Sequence, residues 1–310
     1  MTKLHSKDLG EFVKMVDRDY AGNLADPALA SRYYPLEFEF DTVVDQDLEP
    51  FSDEYYQHQL TLYKEISGRE LNQWDGELHP VDIPSLLETP NPLGVNNVTF
   101  ISEHVRAISS MLGLACLSPV PKVLDMGAGH GLSSEVLAFC GAIVKAVDID
   151  PALSELSQRR AESRNLSITR SVLNFDDLST IESSAFEAAF FFQSLHHCIR
   201  PWDLIGTLKT KLTADGVIAF TGEPIGSVWR NWGIRLDQES VYVARKFGWF
   251  ESGWSHAFLR SCFASQGFKL RYFGGGHGGG EIGVASVMSD RLDRCAEYAA
   301  SVGYLERHVE

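Results

Sequence analysis

The order of segments in this 310-residue chain predicts an α/β fold, a Rossmann-like doubly wound sheet over residues 119–310, preceded by a mostly helical and irregular N-terminal segment over 1–118. Three observations carry that expectation. Short apolar runs alternate with helical stretches from residue 122 onward. The first of these runs ends in a glycine-rich turn that opens a helix. The run Ala188–Phe192 is apolar throughout, as a strand buried on both faces must be.

Each element has its own signal. Lys122–Met126 is a short apolar strand and Gly131–Phe139 a helix; Ala142–Val147 is a second strand. Pro151 in a first turn starts a helix that runs to Arg164. Ile168–Leu173 is a third strand and Ala188–Phe192 a fourth. Pro201–Leu212 is a helix, Val217–Thr221 a fifth strand and Ser255–Gln266 a late helix. Leu270–Phe273 and Gly283–Met288 form a closing pair of strands, joined by the glycine cluster Gly274–Gly280, read as a flexible hairpin loop. Upstream, Glu54–Ile66 sets Tyr55, Tyr56, Gln59, Leu60 and Tyr63 at helix spacing. Val98–Leu112 sets Val98, Ile101, Val105, Ile108 and Leu112 on one face.

Composition narrows the function. Hydrophobic residues make up 44% of the chain, enough for a packed core. Lys and Arg total 27 against 42 Asp and Glu, a net charge of −15, which argues against nucleic acid and anionic membrane as partners. The five cysteines, Cys116, Cys140, Cys198, Cys262 and Cys295, are scattered and odd in number, so reduced structural thiols are expected. No apolar run approaches the roughly 20 residues that span a bilayer, and the expected location is the cytoplasm.

Chemistry concentrates in Val123-Leu124-Asp125-Met126-Gly127-Ala128-Gly129-His130-Gly131. The spacing is G-x-G-x-G, whereas the dinucleotide fingerprint is G-x-G-x-x-G. Asp125, just before the first glycine, would repel a pyrophosphate but suits a ligand bearing an ammonium and a sulfonium. At the end of the second strand, Asp148 is placed to accept hydrogen bonds from ribose hydroxyls, with Ile149 beside it, while Asp150 caps the helix that follows. After the third strand come Asn174, Phe175, Asp176 and Asp177, where an acidic side chain can accept from an adenine amino group.

Together these elements resemble the class I S-adenosylmethionine-dependent methyltransferases over about residues 119–290. The resemblance implies a seven-stranded sheet with an antiparallel last strand and S-adenosyl-L-methionine as cofactor. It implies that Asp125, Gly127, Ala128 and Gly129 hold the methionine end, Asp148 and Ile149 the ribose, and Asn174, Phe175, Asp176 and Asp177 the adenine, with Gln193 beside the methionine end. The segments Phe191–Cys198, Gly222–Ile225, Trp232–Asp237, Arg245–Trp249 and Tyr55–Arg69 resemble a bacterial subgroup associated with glycan or polysaccharide biosynthesis. Related sequences often carry glutamate where this chain has Gln193.

On the acceptor side, a hydroxyl nucleophile needs a base, and His196, His197 and Glu223 lie beyond the carboxyl ends of the fourth and fifth strands. His196 is the first choice, Glu223 the second. No metal is expected: His196 and His197 are adjacent and should project apart, and His256 and His277 lack acids at helical spacing, although Glu281 follows. The aromatic insertion 228–254, with Arg230, Arg235 and Arg245, is expected either to cover the acceptor pocket or to form a hydrophobic subdomain. The N-terminal segment 1–118 is assigned to the acceptor side. The expected acceptor is a small molecule, such as an oxygen of a sugar or glycan precursor. The competing readings are a protein or RNA methyltransferase and a cofactor-binding scaffold without catalysis. Against the amino-group reading, Gln193-Ser194-Leu195-His196 stands where an Asn-Pro-Pro-Tyr motif would.

Overall fold

A computed structural model describes residues 2–24, 26–33, 36–76, 78, 80–274 and 280–309. Strands β1 (Lys122–Met126), β2 (Ile143–Asp148), β3 (Ile168–Val172), β4 (Phe186–Phe192) and β5 (Leu212–Thr221) pair in parallel. With β6 (Lys269–Gly274), β7 (Ile282–Ser286) and β8 (Leu305–Arg307) they form one eight-stranded sheet in the order β8-β6-β7-β5-β4-β1-β2-β3. β7 runs antiparallel to both neighbours, and β8 runs antiparallel to β6. The expected seven strands are present; β8 is an addition, a Leu-Glu-Arg edge strand with no apolar alternation to announce it. The glycine cluster's residues 275–279, His277 among them, lie outside the described residues.

The helices of this part are α1 (Val98–Leu114), α2 (Leu132–Phe139), α3 (Pro151–Arg164), α4 (Pro201–Lys211), α5 (His256–Ser265) and α6 (Ser289–Ser301). α3 begins where Asp150 accepts hydrogen bonds from the amides of Ala152 (2.7 Å) and Leu153 (3.2 Å), as its capping role requires. α1 buries Ile108, Met111 and Leu114, whereas Val98, expected on the same face, is 86% exposed at the helix's first turn. α6 starts where the last strand was expected to end.

The chain divides into two compact units, one of Pro80–Pro224 with His256–Glu310, the other of Met1–His79 with Ile225–Ser255. The boundary expected at 118 therefore shifts, for a physical reason. Met111 and Leu114 join the core under the sheet with Val123, Phe190 and Val284. Ahead of α1, Arg160 of α3 holds residues 86–90. Its guanidinium is fully buried and donates to Leu86 O (2.7 Å), Thr89 O (3.0 Å), Pro90 O (3.3 Å) and both oxygens of Glu135 (2.6 and 3.2 Å). Five donors meet five bonds, which is what lets an arginine be buried at all.

In the other unit, helix Asp53–Ser67 is capped by Ser52, which accepts from the Tyr55 amide. It turns Tyr55, Gln59, Leu62, Tyr63 and Ile66 inward. Gln59 acts as a strand partner: its amide nitrogen donates to Trp232 O (3.3 Å) and its oxygen accepts from Ile234 N (3.0 Å). Tyr55 donates to Trp232 O (2.5 Å) and Tyr63 to Gly248 O (2.6 Å). Trp232, Tyr242, Phe250 and Trp254 are all buried. Of the two readings of the aromatic insertion, these four side chains fit a hydrophobic subdomain. The arginines are engaged as well, Arg230 with Asp47 and Arg235 with Asp237 and Glu251.

Arg160→Ala should leave Glu135 without its partner and release residues 86–90. Breaking a buried pair of this kind costs about 3–5 kcal/mol. Urea unfolding should show that loss, and limited proteolysis should cut the variant near residue 88 under conditions that leave the wild type whole.

Candidate active site

β1 lies between β2 and β4, so the strand order reverses there, and the loops after β1, β2, β3, β4 and β5 gather at one carboxyl edge. The glycine loop after β1 is fixed from below by the next strand. The amides of Gly127 and Ala128 both donate to Val147 O, at 2.8 and 3.1 Å. Gly129 donates its amide to Asp148 Oδ2 at 2.6 Å, while Asp148 Oδ1 accepts from Asp150 N at 2.9 Å. Gly129 has φ +49°, and a Cβ there would meet nothing within 4 Å. Backbone conformation, not packing, demands glycine at that point, and the space above the loop is open to a ligand.

Asp125 is buried beneath this loop. Its Oδ2 accepts from the hydroxyls of Ser133 (2.7 Å) and Ser134 in the first turn of α2. Burial pushes its carboxyl above the ordinary range, against the pull of the two serines and Arg170. After β3, Asn174 Oδ1 accepts from Asp176 N (3.0 Å), and Asp177 caps Ser179 N (3.0 Å). Phe175 reaches back to the glycine loop, where a Cβ on Gly127 would come within 3.2 Å of its ring. Ile149 is half-buried and Asp176 exposed.

A single carboxylate organises the loop after β4. Glu223 Oε1 accepts from the amides of Ser194 (2.9 Å) and Leu195 (3.0 Å); Oε2 accepts from His196 N (3.1 Å) and lies 2.8 Å from His196 Nδ1. The Glu223 side chain has no exposed surface. Burial alone would raise its pKa, but the His196 ring and the amides outweigh that and hold it below the ordinary carboxylate range. With a proton on Nδ1 directed at Glu223, the lone pair of a neutral His196 ring sits on Nε2. Glu223 is thus an orienting group for His196 in this geometry. His197 does not diverge from its neighbour as adjacency suggested: the two rings are 4.3 Å apart at 38°.

Gln193, between β4 and this turn, is exposed and left-handed at φ +53°, an uncommon conformation for its type. Its amide donates to Thr221 O (3.0 Å), and a Cβ on Gly222 would come within 2.5 Å of its Cγ. Ser194 closes the arrangement by donating its hydroxyl to Met126 O at 2.7 Å. Ser133, Ser134 and Ser194 carried no sequence signal beyond their position at a helix start or strand end. His256 does have a carboxylate partner, Glu281, with Nε2 2.7 Å from Oε1. That pair bridges 25 residues and was invisible to helical spacing.

Residues 124–220 match a family model described as Methyltransferase domain. The Ubiquinone biosynthesis O-methyltransferase of Actinobacillus pleuropneumoniae is 31% identical over 104 residues, which cover 32% of this chain and 44% of that protein. The protein of the same name from Xanthomonas oryzae pv. oryzae is 25% identical over 173 residues, 56% of this chain and 64% of its own. The chain thus spans less than half the length of the first and under two thirds of the second. A solved structure from Pyrococcus horikoshii superposes with a TM-score of 0.46 at 18% identity, covering 62% of this chain and 92% of that one. The likeness to methyltransferases is thus centred on the segment that carries the glycine loop and the strands around it. Among the described residues, no helix is long and apolar enough to cross a membrane.

Glu223→Gln keeps the shape of the clamp and removes its charge. A carboxyl whose pKa is lowered on folding contributes stability above its unfolded pKa and loses it as pH falls through the folded value. Wild type should therefore exceed E223Q by about 1.5–3 kcal/mol at neutral pH, the worth of hydrogen bonds to a charged group. Urea titrations in acid should show that gap closing.

Proposed function

We propose that this protein transfers a methyl group from S-adenosyl-L-methionine to a hydroxyl oxygen of a small molecule, with His196 as general base. The observation that carries the reading is the Glu223–His196 contact of 2.8 Å at the same sheet edge as the glycine loop. The fit of the cofactor rests on the open space over Gly129, on Asp148 at the loop and on an edge lined by carboxylates, which favours a cationic ligand. When bound, the cofactor supplies a methyl group already activated by positive sulfur. The chain's task is then to hold the acceptor in line and take its proton. Glu223 keeps His196 in one tautomer and orientation, so that Nε2 is the accepting atom. Asp148 keeps acceptor capacity beyond its two backbone bonds, enough for ribose hydroxyls. Asn174, Phe175 and Asp176 would border the adenine, and Asp125, Gly127, Ala128 and Gln193 the methionine end.

Oxygen as the acceptor atom is supported by the curated relatives, whose names specify O-methyl transfer. A sugar or glycan precursor has less behind it, since the aromatic side chains that favoured it are largely buried. RNA is disfavoured by the net charge of −15. Incubation with the cofactor and a panel of phenols, sugar nucleotides and polyols, read by mass spectrometry for an added methyl group, tests the activity. A panel with no methylated product, from protein that binds the cofactor, would favour the scaffold reading instead.

Two substitutions separate the roles. Asp148→Asn should weaken cofactor binding by about 1.5–3 kcal/mol, because ribose hydroxyls lose a charged acceptor; calorimetry checks it. His196→Ala should lower turnover about 10²–10⁴-fold with cofactor affinity nearly unchanged. Normal turnover in that variant would move the base elsewhere.

A further inference from the structure

Arg170 stands in the middle of β3, and no sequence motif singles it out. Its Nη2 donates to Gly129 O at 2.9 Å. Gly129 is therefore held at both ends from beneath: its amide by Asp148 and its carbonyl by Arg170. This is the loop residue with a left-handed backbone and open space above it. The rest of the guanidinium is not locked. Nε and Nη1 are shut off from solvent and have no partner among the described residues. Nη1 and Ser157 Oγ both come within 4 Å of where a Cβ on Gly131 would stand. Asp148, Asp125 and Asp150 are the carboxylates that surround the group. Among the described residues, the bond in its fork that is closed is the one to the glycine loop.

We propose that Arg170 is a positioning residue for the cofactor. It fixes the Gly129 peptide in its binding orientation, and its positive charge faces the carboxylates beneath a loop meant for a cationic ligand. The proposal rests on the reading of this loop as the S-adenosylmethionine site. A planar fork bonded to a carbonyl from below fixes a direction, whereas an ammonium supplies charge without it. Lysine at this position should therefore keep the electrostatics and lose the aim.

Arg170→Lys and Arg170→Met, compared with wild type, test this by two readouts. The first is amide exchange of residues 127–131 in protein without cofactor. The second is the dissociation constant for S-adenosylmethionine by calorimetry, with turnover at saturating cofactor as a companion. Loop exchange should speed up at least tenfold in both variants while β4 amides keep their wild-type rates. Affinity should fall about tenfold in R170K and further in R170M, with turnover at saturation within threefold of wild type. Unchanged loop exchange and affinity in folded R170K overturn the proposal, and R170K decides alone if R170M does not fold. Uniformly faster exchange across the whole sheet also overturns it, since that is the mark of a merely structural residue. If wild type itself binds no cofactor, the functional reading fails, while the exchange comparison still decides whether Arg170 holds the loop.

Discussion

Strand β4 ends at Phe192, and the chain must then leave the sheet with the amides of Ser194, Leu195 and His196 turned away from any strand partner. A buried N–H with no acceptor costs about 1–3 kcal/mol. Three in a row would cancel much of a domain's stability, so the turn can exist only if an acceptor is brought to it. Register supplies one. Phe192 pairs with Thr221 in the parallel neighbour β5, and Gly222, at φ +76°, turns the chain so that Glu223 points across. A single carboxylate then takes all three amides and the imidazole. Those four bonds are what permit an ionised group with no exposed surface. The same carboxylate that satisfies the backbone also faces His196 Nδ1, so the structural need of the turn and the orientation of the imidazole are met by one residue.

The cofactor side is governed by charge. Asp125, Asp148 and Asp150 lie close beneath the glycine loop, and burial has already pushed Asp125 upward. Three carboxylates in a confined place concentrate negative charge. Arg170 offsets them without filling the space above the loop. A mouth of this sign disfavours a pyrophosphate and admits an ammonium or sulfonium. The G-x-G-x-G spacing and the acid ahead of it thus belong to the same design as an arginine 41 residues beyond Gly129.

Much of the sheet was legible because it depends on local pattern. β4 declares itself by a run of apolar residues, α3 by Asp150-Pro151, and the loop by its glycines. Asp125, Asp148, His196 and Glu223 could be picked as candidates because each sits at or just past a strand's carboxyl end. Other residues left no local trace. Arg160 and Arg170 look like ordinary charged residues on a helix and a strand; their partners lie about 70 and 41 residues away in sequence. Gln59 serves as a strand edge for Trp232–Ile234 over a separation of more than 170 residues, which no window of sequence contains. The aromatic insertion left two readings open for the opposite reason. Its rings carry the same local signal whether they face a ligand or a core, and only burial tells the two apart.

Gln193 shows how these constraints meet. A non-glycine residue in the left-handed region costs about 1–2 kcal/mol. Such strain persists where the surroundings over-determine the backbone. Here the Gln193 amide is held by Thr221, the next amide by Glu223, and the Ser194 hydroxyl by Met126. The side chain lies against Gly222, immediately before Glu223. A carboxylate at 193 would set a second negative charge near Gly222, the residue that leads into Glu223. The neutral amide of Gln193 leaves the charge at this edge on Glu223, the group that faces His196 Nδ1.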